Sequence, residues 1–274
     1  PATGRQDLRF NSQYSSEATA VTDQAKTDLA NLVIALEALT VTDATHGLSF
    51  GTETLLAGVY DITGAATGTA AATLTLDANN VADAIFVIRV STTFTIGAGF
   101  IIDLINQANP SNVFFLITAG VTVAANSVLQ GNLITKSTLS TATTCSILGR
   151  IASTTSALSP TALTVTKPAV KSIIDSDSFE NFALFTSAGA VTNAGVSVIN
   201  GDIGTNSGAV TGFTTSTVNG SIYTSVSRLS TLIFGIYLDN VLIANSDRVI
   251  IRTEDTLGDI INMYVMVDTL PGEV

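Results

Sequence analysis

Short alternations of apolar and polar residues, not long apolar runs, dominate this chain. Phe94 and Ile96 alternate with Thr93 and Thr95, and Leu163 and Val165 with Thr164 and Thr166. A period of two predicts strands with one side turned inward. Between the strands one phrase recurs, a glycine followed by a polar residue and an aliphatic one. It reads Gly131-Asn132-Leu133, Gly149-Arg150-Ile151, Gly201-Asp202-Ile203 and Gly220-Ser221-Ile222. Neighbouring copies lie roughly 20 residues apart, the period of stacked solenoid coils. Glycine suits the corner of a coil because it reaches positive φ without a steric penalty, and the aliphatic residue two places on then points back inside. A β-sandwich with glycine turns fits short strands as well, so both architectures stay open on the pattern alone.

One stretch departs from the period of two. In "SSEATAVTDQAKTDLANLVIALEALT", Val21, Ala25, Leu29, Leu32, Leu36 and Leu39 fall at helical spacing, with Asp23, Lys26, Asp28 and Glu37 largely elsewhere. The spacing predicts one amphipathic helix over about residues 16 to 39, burying a single stripe. From residue 226 the texture changes again. Large aliphatics become frequent, Asp239-Asn240 reads as a hairpin turn, and Ile261, Met263, Val265 and Val267 alternate with Asn262, Tyr264 and Met266. These predict antiparallel strands of a small sandwich or jelly-roll-like module. Three or four strands are marginal for an independent two-sheet module, so completion by "GRQDLRFNSQY" near the start is expected.

Composition narrows the function classes. The 274 residues carry 46% hydrophobic and 12% charged side chains, with no tryptophan and a formal net charge of −11. No basic cluster is available to neutralise phosphates, which excludes a nucleic-acid partner. Cys145, the only cysteine, cannot form an internal disulfide and sits among apolar neighbours as a small buried residue. No stretch is long and apolar enough to span a bilayer, since "NLVIALEAL" is short and interrupted by Glu37. The chain begins at Pro1 without a methionine, so a processed or partial chain is expected.

With corners, helix and threonine-rich strands in place, the sequence resembles the ice-binding-protein family of microbes and polar algae. The resemblance is carried by "LLAGVYDI" (55–62), by 72–117, by "GVTVAANSVLQGN" (120–132) and by 182–213. It implies a mainly β fold, a right-handed parallel β-solenoid with one long α-helix alongside. The expected organisation is an N-terminal arm (1–15), helix plus main solenoid (16–168), a linker (169–181), further coils (182–224) and a partial antiparallel segment (225–274). In the resembled family the stretch similar to 182–224 precedes the helix; here it follows the main coils. Such coils could fold back onto 16–168, belong to a second domain if the chain is a piece cut across two tandem domains, or dock on the open end of a neighbouring copy, since uncapped coil edges favour pairing with another chain.

Enzymatic chemistry finds little footing. His46, the only histidine, has no nucleophile motif near it and reads as a loop residue. Asp77 to Asp83, "DANNVAD", offers oxygen ligands but lacks the central glycine and closing glutamate of a calcium loop. Hydrogen bonding of Asx type at a corner explains it more simply. The acidic run "IDSDSFEN" (174–181) reads as solvated, and the glycine pairs lack the spacing of a phosphate cradle. Asn219-Gly220-Ser221 is a glycosylation sequon. No cofactor and no metal is expected.

Function in the resembled family comes from one flat face whose small outward residues order water in an ice-like lattice. The residues that match such a face here are Thr93, Thr95, Thr122, Ala124, Thr138, Ser140, Thr164 and Thr166. An extra residue in "STATTCSIL" and Pro160 in "TSALSPTAL" are expected to break the ladder. Two functions follow. One is a non-enzymatic extracellular or particle-surface assembly protein, built head-to-tail by exchange of 182–274 between copies. The other is a secreted antifreeze or ice adhesin acting through the Thr/Ser/Ala face. The partners expected are copies of itself and ice or a surface glycan, with no membrane span.

Overall fold

The computed structural model describes residues 13–174, 177–224, 249–254 and 260–265, with side chains over 20–174 and 178–224. The chain divides into two compact units, Ser15–Arg228 and a unit of both ends, Pro1–Tyr14 with Leu229–Val274.

The larger unit is a solenoid of eight rungs. Each rung contributes one strand to each of three eight-stranded sheets, and all pairing between successive rungs is parallel. The first face runs from Ser49–Phe50 to Val210–Thr211, the second from Glu53–Leu56 to Thr217–Asn219, and the third from Gly58–Ile62 to Ile222–Thr224. Rung-on-rung pairing excludes the sandwich alternative for this unit. The interior is apolar. Phe50, Phe94, Phe115, Ile102, Leu133, Leu184 and Ile203 from different rungs pack into one buried cluster.

The helix spans Gln13–Ala38, starting three residues earlier than the spacing predicts. Its stripe of Ala25, Leu29, Leu32, Val33 and Leu36 is buried against Val87, Phe114, Ile134 and Ala152 on the outside of the third face. That face is therefore apolar on both sides, as in Val113–Ile117, where every residue is buried.

Two kinds of corner turn the chain. Between the first and second faces seven rungs place a left-handed residue, but only three of these, Gly99, Gly195 and Gly212, are glycine; the others are Ala71, Asn126, Thr144 and Ala162. Between the second and third faces stand Gly131, Gly149, Gly201 and Gly220. Their glycine character owes as much to close approach as to φ. A Cβ on Gly149 would lie 1.8 Å from the Gly131 carbonyl oxygen, and one on Gly220 2.3 Å from that of Gly201. Leu133, Ile151 and Ile203 point inside as expected, whereas Ile222, on the last rung, is half exposed. Every longer excursion of the chain within the stack (78–85, 106–112 and 167–181) leaves from this same corner.

Residues 182–224 continue their own chain's stack. Ile151 pairs with Leu184, and Val165 with Ile199. Of the placements expected for these coils, the pairing is that of folding back onto the chain's own stack, and it lends no support to exchange with a neighbouring copy. The segment 169–181 is likewise no free linker. Ser172 Oγ donates to Asn112 Oδ1 at 3.1 Å, the Ser178 N–H to Asp28 Oδ2 at 3.0 Å, and Arg150 Nη2 to the Glu180 carbonyl at 2.9 Å. Phe179 and Glu180 are buried, so this part of the acidic run is not solvated; Lys171 Nζ lies 3.9 Å from Glu180 Oε2. Burial pushes the Arg150 guanidinium down to about 10, and Glu180 opposes that shift.

Of the expected antiparallel segment, Val249–Glu254 and Ile260–Val265 form an antiparallel pair. The Asp239-Asn240 turn and residues 1–12 lie outside the described residues.

Candidate functional site

On the first face the chain alternates in, out, in. The outward position of each successive strand is Ser49, Thr67, Thr95, Thr122, Ser140, Ser159, Thr192 and Thr211, and all eight are exposed. Backbone pairing holds them in one rank. Thr67 pairs with Ser49 and Thr95, Thr122 with Thr95 and Ser140, Ser159 with Ser140, and Thr211 with Thr192. The remaining step is fixed by Leu158 pairing with Val191 just before Ser159 and Thr192. Beneath the rank, Phe50, Phe94, Val121, Leu139, Leu158 and Val191 are buried and hold the strands flat.

The neighbouring ranks are small. Thr93, Gly120 and Thr138 lie on one side, and Gly97, Ala124 and Ala142 on the other. Charge is absent as well. Segments 63–73, 91–102, 118–131, 137–149, 151–166, 187–201 and 203–224 contain no Asp, Glu, Lys, Arg or His. The hydroxyls of Thr95, Thr122, Ser140 and Ser159 have no partner among the described residues, so they are left to water.

Pro160 does not break this ladder, contrary to expectation. The strand Leu158–Ser159 stops before it, and bonding between rungs continues past it, the Thr161 N–H donating to Thr141 Oγ1 at 3.0 Å and the Ala194 N–H to the Pro160 carbonyl at 3.0 Å. The segment "STATTCSIL" carries no extra residue either: Thr141 to Ser146 takes the same five steps as Val123 to Val128 on the rung before, and Thr144 adopts φ 60° where Asn126 adopts 61°, its hydroxyl donating to Asn126 Oδ1 at 2.6 Å.

The structure thus gathers six of the eight residues singled out from sequence. Thr95, Thr122 and Ser140 belong to the central rank, and Thr93, Thr138 and Ala124 to its flanks. Thr164 and Thr166 lie on the second face, where they are half-buried and Thr166 Oγ1 accepts from Asn200 Nδ2 at 2.9 Å. Sequence reasoning missed Ser49, Thr67, Ser159, Thr192 and Thr211. A signal existed in the near-identical Ala190-Val191-Thr192 and Ala209-Val210-Thr211.

Elsewhere the chemistry is structural. His46 stacks on Phe50 with ring centroids 4.6 Å apart and bonds Glu53 Oε2 at 3.1 Å, at the first rung. Asp77 Oδ1 accepts from the Asn79 N–H at 2.7 Å and from Asn106 Nδ2 at 2.8 Å, the Asx-type corner expected for that loop. Cys145 is buried, and burial pushes its thiol up, so it holds little thiolate. No described helix is long and apolar enough to cross a membrane.

Comparison with known proteins agrees with this picture. The Ice-binding-like family model matches residues 4–166. Three solved structures are similar. The ice-binding protein 1 domain of Shewanella frigidimarina is 26% identical over 54% of this chain and 63% of that one, with a TM-score of 0.48. An ice-binding protein from an Antarctic Flavobacteriaceae bacterium is 32% identical over 73% of this chain and 50% of its own, also at 0.48. One from the Antarctic ascomycete Antarctomyces psychrotrophicus is 28% identical over 52% and 68%, at 0.45. The chain spans less than two thirds of the first two. No curated protein matches it.

Proposed function

Because the chain belongs to the ice-binding-like family, we propose that it binds ice, through the first face of its solenoid. The observation that carries this reading is the unbroken, charge-free rank from Ser49 to Thr211. Threonine presents a methyl and a hydroxyl on a stiff χ1, and parallel rungs repeat at about 4.8 Å. Equivalent groups therefore recur at one spacing along the stack. The small flanking residues let a flat water layer approach, and the absence of ions leaves its hydrogen bonding undisturbed.

With ice as its ligand the protein would be non-enzymatic and act outside the cell, a reading that membership of the family supports. The similar solved proteins, named as ice-binding, support the same reading. Assembly by exchange of 182–274 draws no support from the pairing, because 182–224 extends its own stack. The test is thermal hysteresis and ice-crystal shaping by the purified chain. Thr122→Tyr should remove most of the activity while the melting midpoint stays in place. Full hysteresis in that variant would overturn the assignment of this face.

A further inference from the structure

Both covalent connections of the solenoid leave from the same end. Strand order climbs from the rung of Ser49–Phe50 to that of Val210–Thr211, while the helix runs the other way. Its last turn lies at the early rungs, where Arg89 Nη1 donates to the Glu37 carbonyl at 2.8 Å. Asp28, further back along the helix, meets Ser178 just before the sixth rung. Ala20 and Val21 border one cleft with Phe182, Asp202 and Tyr223, on the sixth, seventh and eighth rungs. At the opposite end the chain simply turns back, with the Thr42 and Asp43 N–H groups donating to the Val59 carbonyl at 2.9 and 3.0 Å. The first turns of the helix and the eighth rung are therefore neighbours. A solenoid begun at its first rung and ended at its eighth would have its ends roughly 35 Å apart at about 4.8 Å per rung.

The residues outside this span fall into one unit drawn from both chain ends, Pro1–Tyr14 and Leu229–Val274. We propose that residues 15–228 are a cargo domain, a complete solenoid inserted into a loop of a host module that the two chain ends build together. Insertion of one domain into another requires ends that lie close together at a surface, and this is what the late position of 182–224 achieves. The host module needs more than the antiparallel pair Val249–Glu254 and Ile260–Val265, which is marginal alone. The arm can supply a further strand, since Leu8 and Phe10 alternate with Asp7 and Arg9. The inference does not depend on what the first face binds.

A site-specific protease sequence placed between Val226 and Ser227 of the full chain tests it. After cleavage the C-terminal fragment should co-elute with the rest in native gel filtration and separate in denaturant. The same cleavage in a variant lacking residues 1–12, and in the milder Leu8→Asp/Phe10→Asp variant, should release it, with the thermal unfolding of the solenoid unchanged. Release from the otherwise intact chain would overturn the proposal, as would retention in both arm variants. Loss of the solenoid transition in both arm variants would overturn it too, since the cargo would then depend on its host.

Discussion

The first and second faces of the solenoid share strand geometry, rung spacing and a common interior, yet their surfaces differ. Along the first, the outward rank is serine or threonine on every rung. Along the second, the corresponding rank reads Thr73, Ile101, Val128, Ser146, Thr164, Val198 and Thr217, beside one containing Asp103, Gln130 and Leu148. Ile101 and Val128 are 38% and 43% exposed. Strand propensity asks only for a β-branched residue at such positions, and the second face takes valine, isoleucine or threonine indifferently. The first face admits no aliphatic and no charge in its central rank. Propensity does not demand that restriction, so it supports the first face as the proposed binding surface.

The largest effect should come from disturbing both faces together. Gly149→Ala drives a methyl group against the Gly131 carbonyl and should cost about 3 kcal/mol, a fall of roughly 10 °C in the melting midpoint, read by circular dichroism. Next comes a matched pair on one rung. Ser140 and Ser146 are both exposed serines, one on each face. Ser140→Asp should abolish most thermal hysteresis and Ser146→Asp none, with stability changes within about 0.5 kcal/mol in both. Equal losses would erase the distinction between the faces. A finer test converts the second rank to hydroxyls with Ile101→Thr, Val128→Thr and Val198→Thr. Hysteresis should stay at the unmodified level, because Asp103 and Gln130 still border that rank; a gain would show that the rank alone suffices. Smallest of all, Cys145 should remain unreactive to a thiol reagent at pH 8 until the stack unfolds, since burial holds its thiol protonated.

Much of the architecture was legible in the sequence because it rests on local periodicities. The helix stripe and the inward Phe94, Ile96, Leu163 and Val165 follow from spacing alone, and all four of these last residues are buried. Corners were half legible. The repeated glycine phrase located them, but a close approach such as Gly149 to Gly131 depends on the rung below. Asn126, Thr144 and Ala162, left-handed without being glycine, carry no such mark. The face was harder still. Alternation says whether a side chain points in or out, not on which of three sides it emerges, so Thr164 and Thr166 were grouped with Thr122. Excursions of unequal length defeat counting from rung to rung, which hid Thr192 and Thr211. Pro160 looked disruptive because the end of its strand is set by the neighbouring corner, not by its own neighbours in sequence.

Concentrating the longer excursions of the chain on one edge of the prism separates two requirements that a solenoid must meet at once. The stack can lengthen, shorten or acquire new loops along the edge between its second and third faces without disturbing the spacing of the Ser/Thr rank. That edge is accordingly where foreign peptides could be grafted at little cost to the opposite surface, and where related chains should vary most in length.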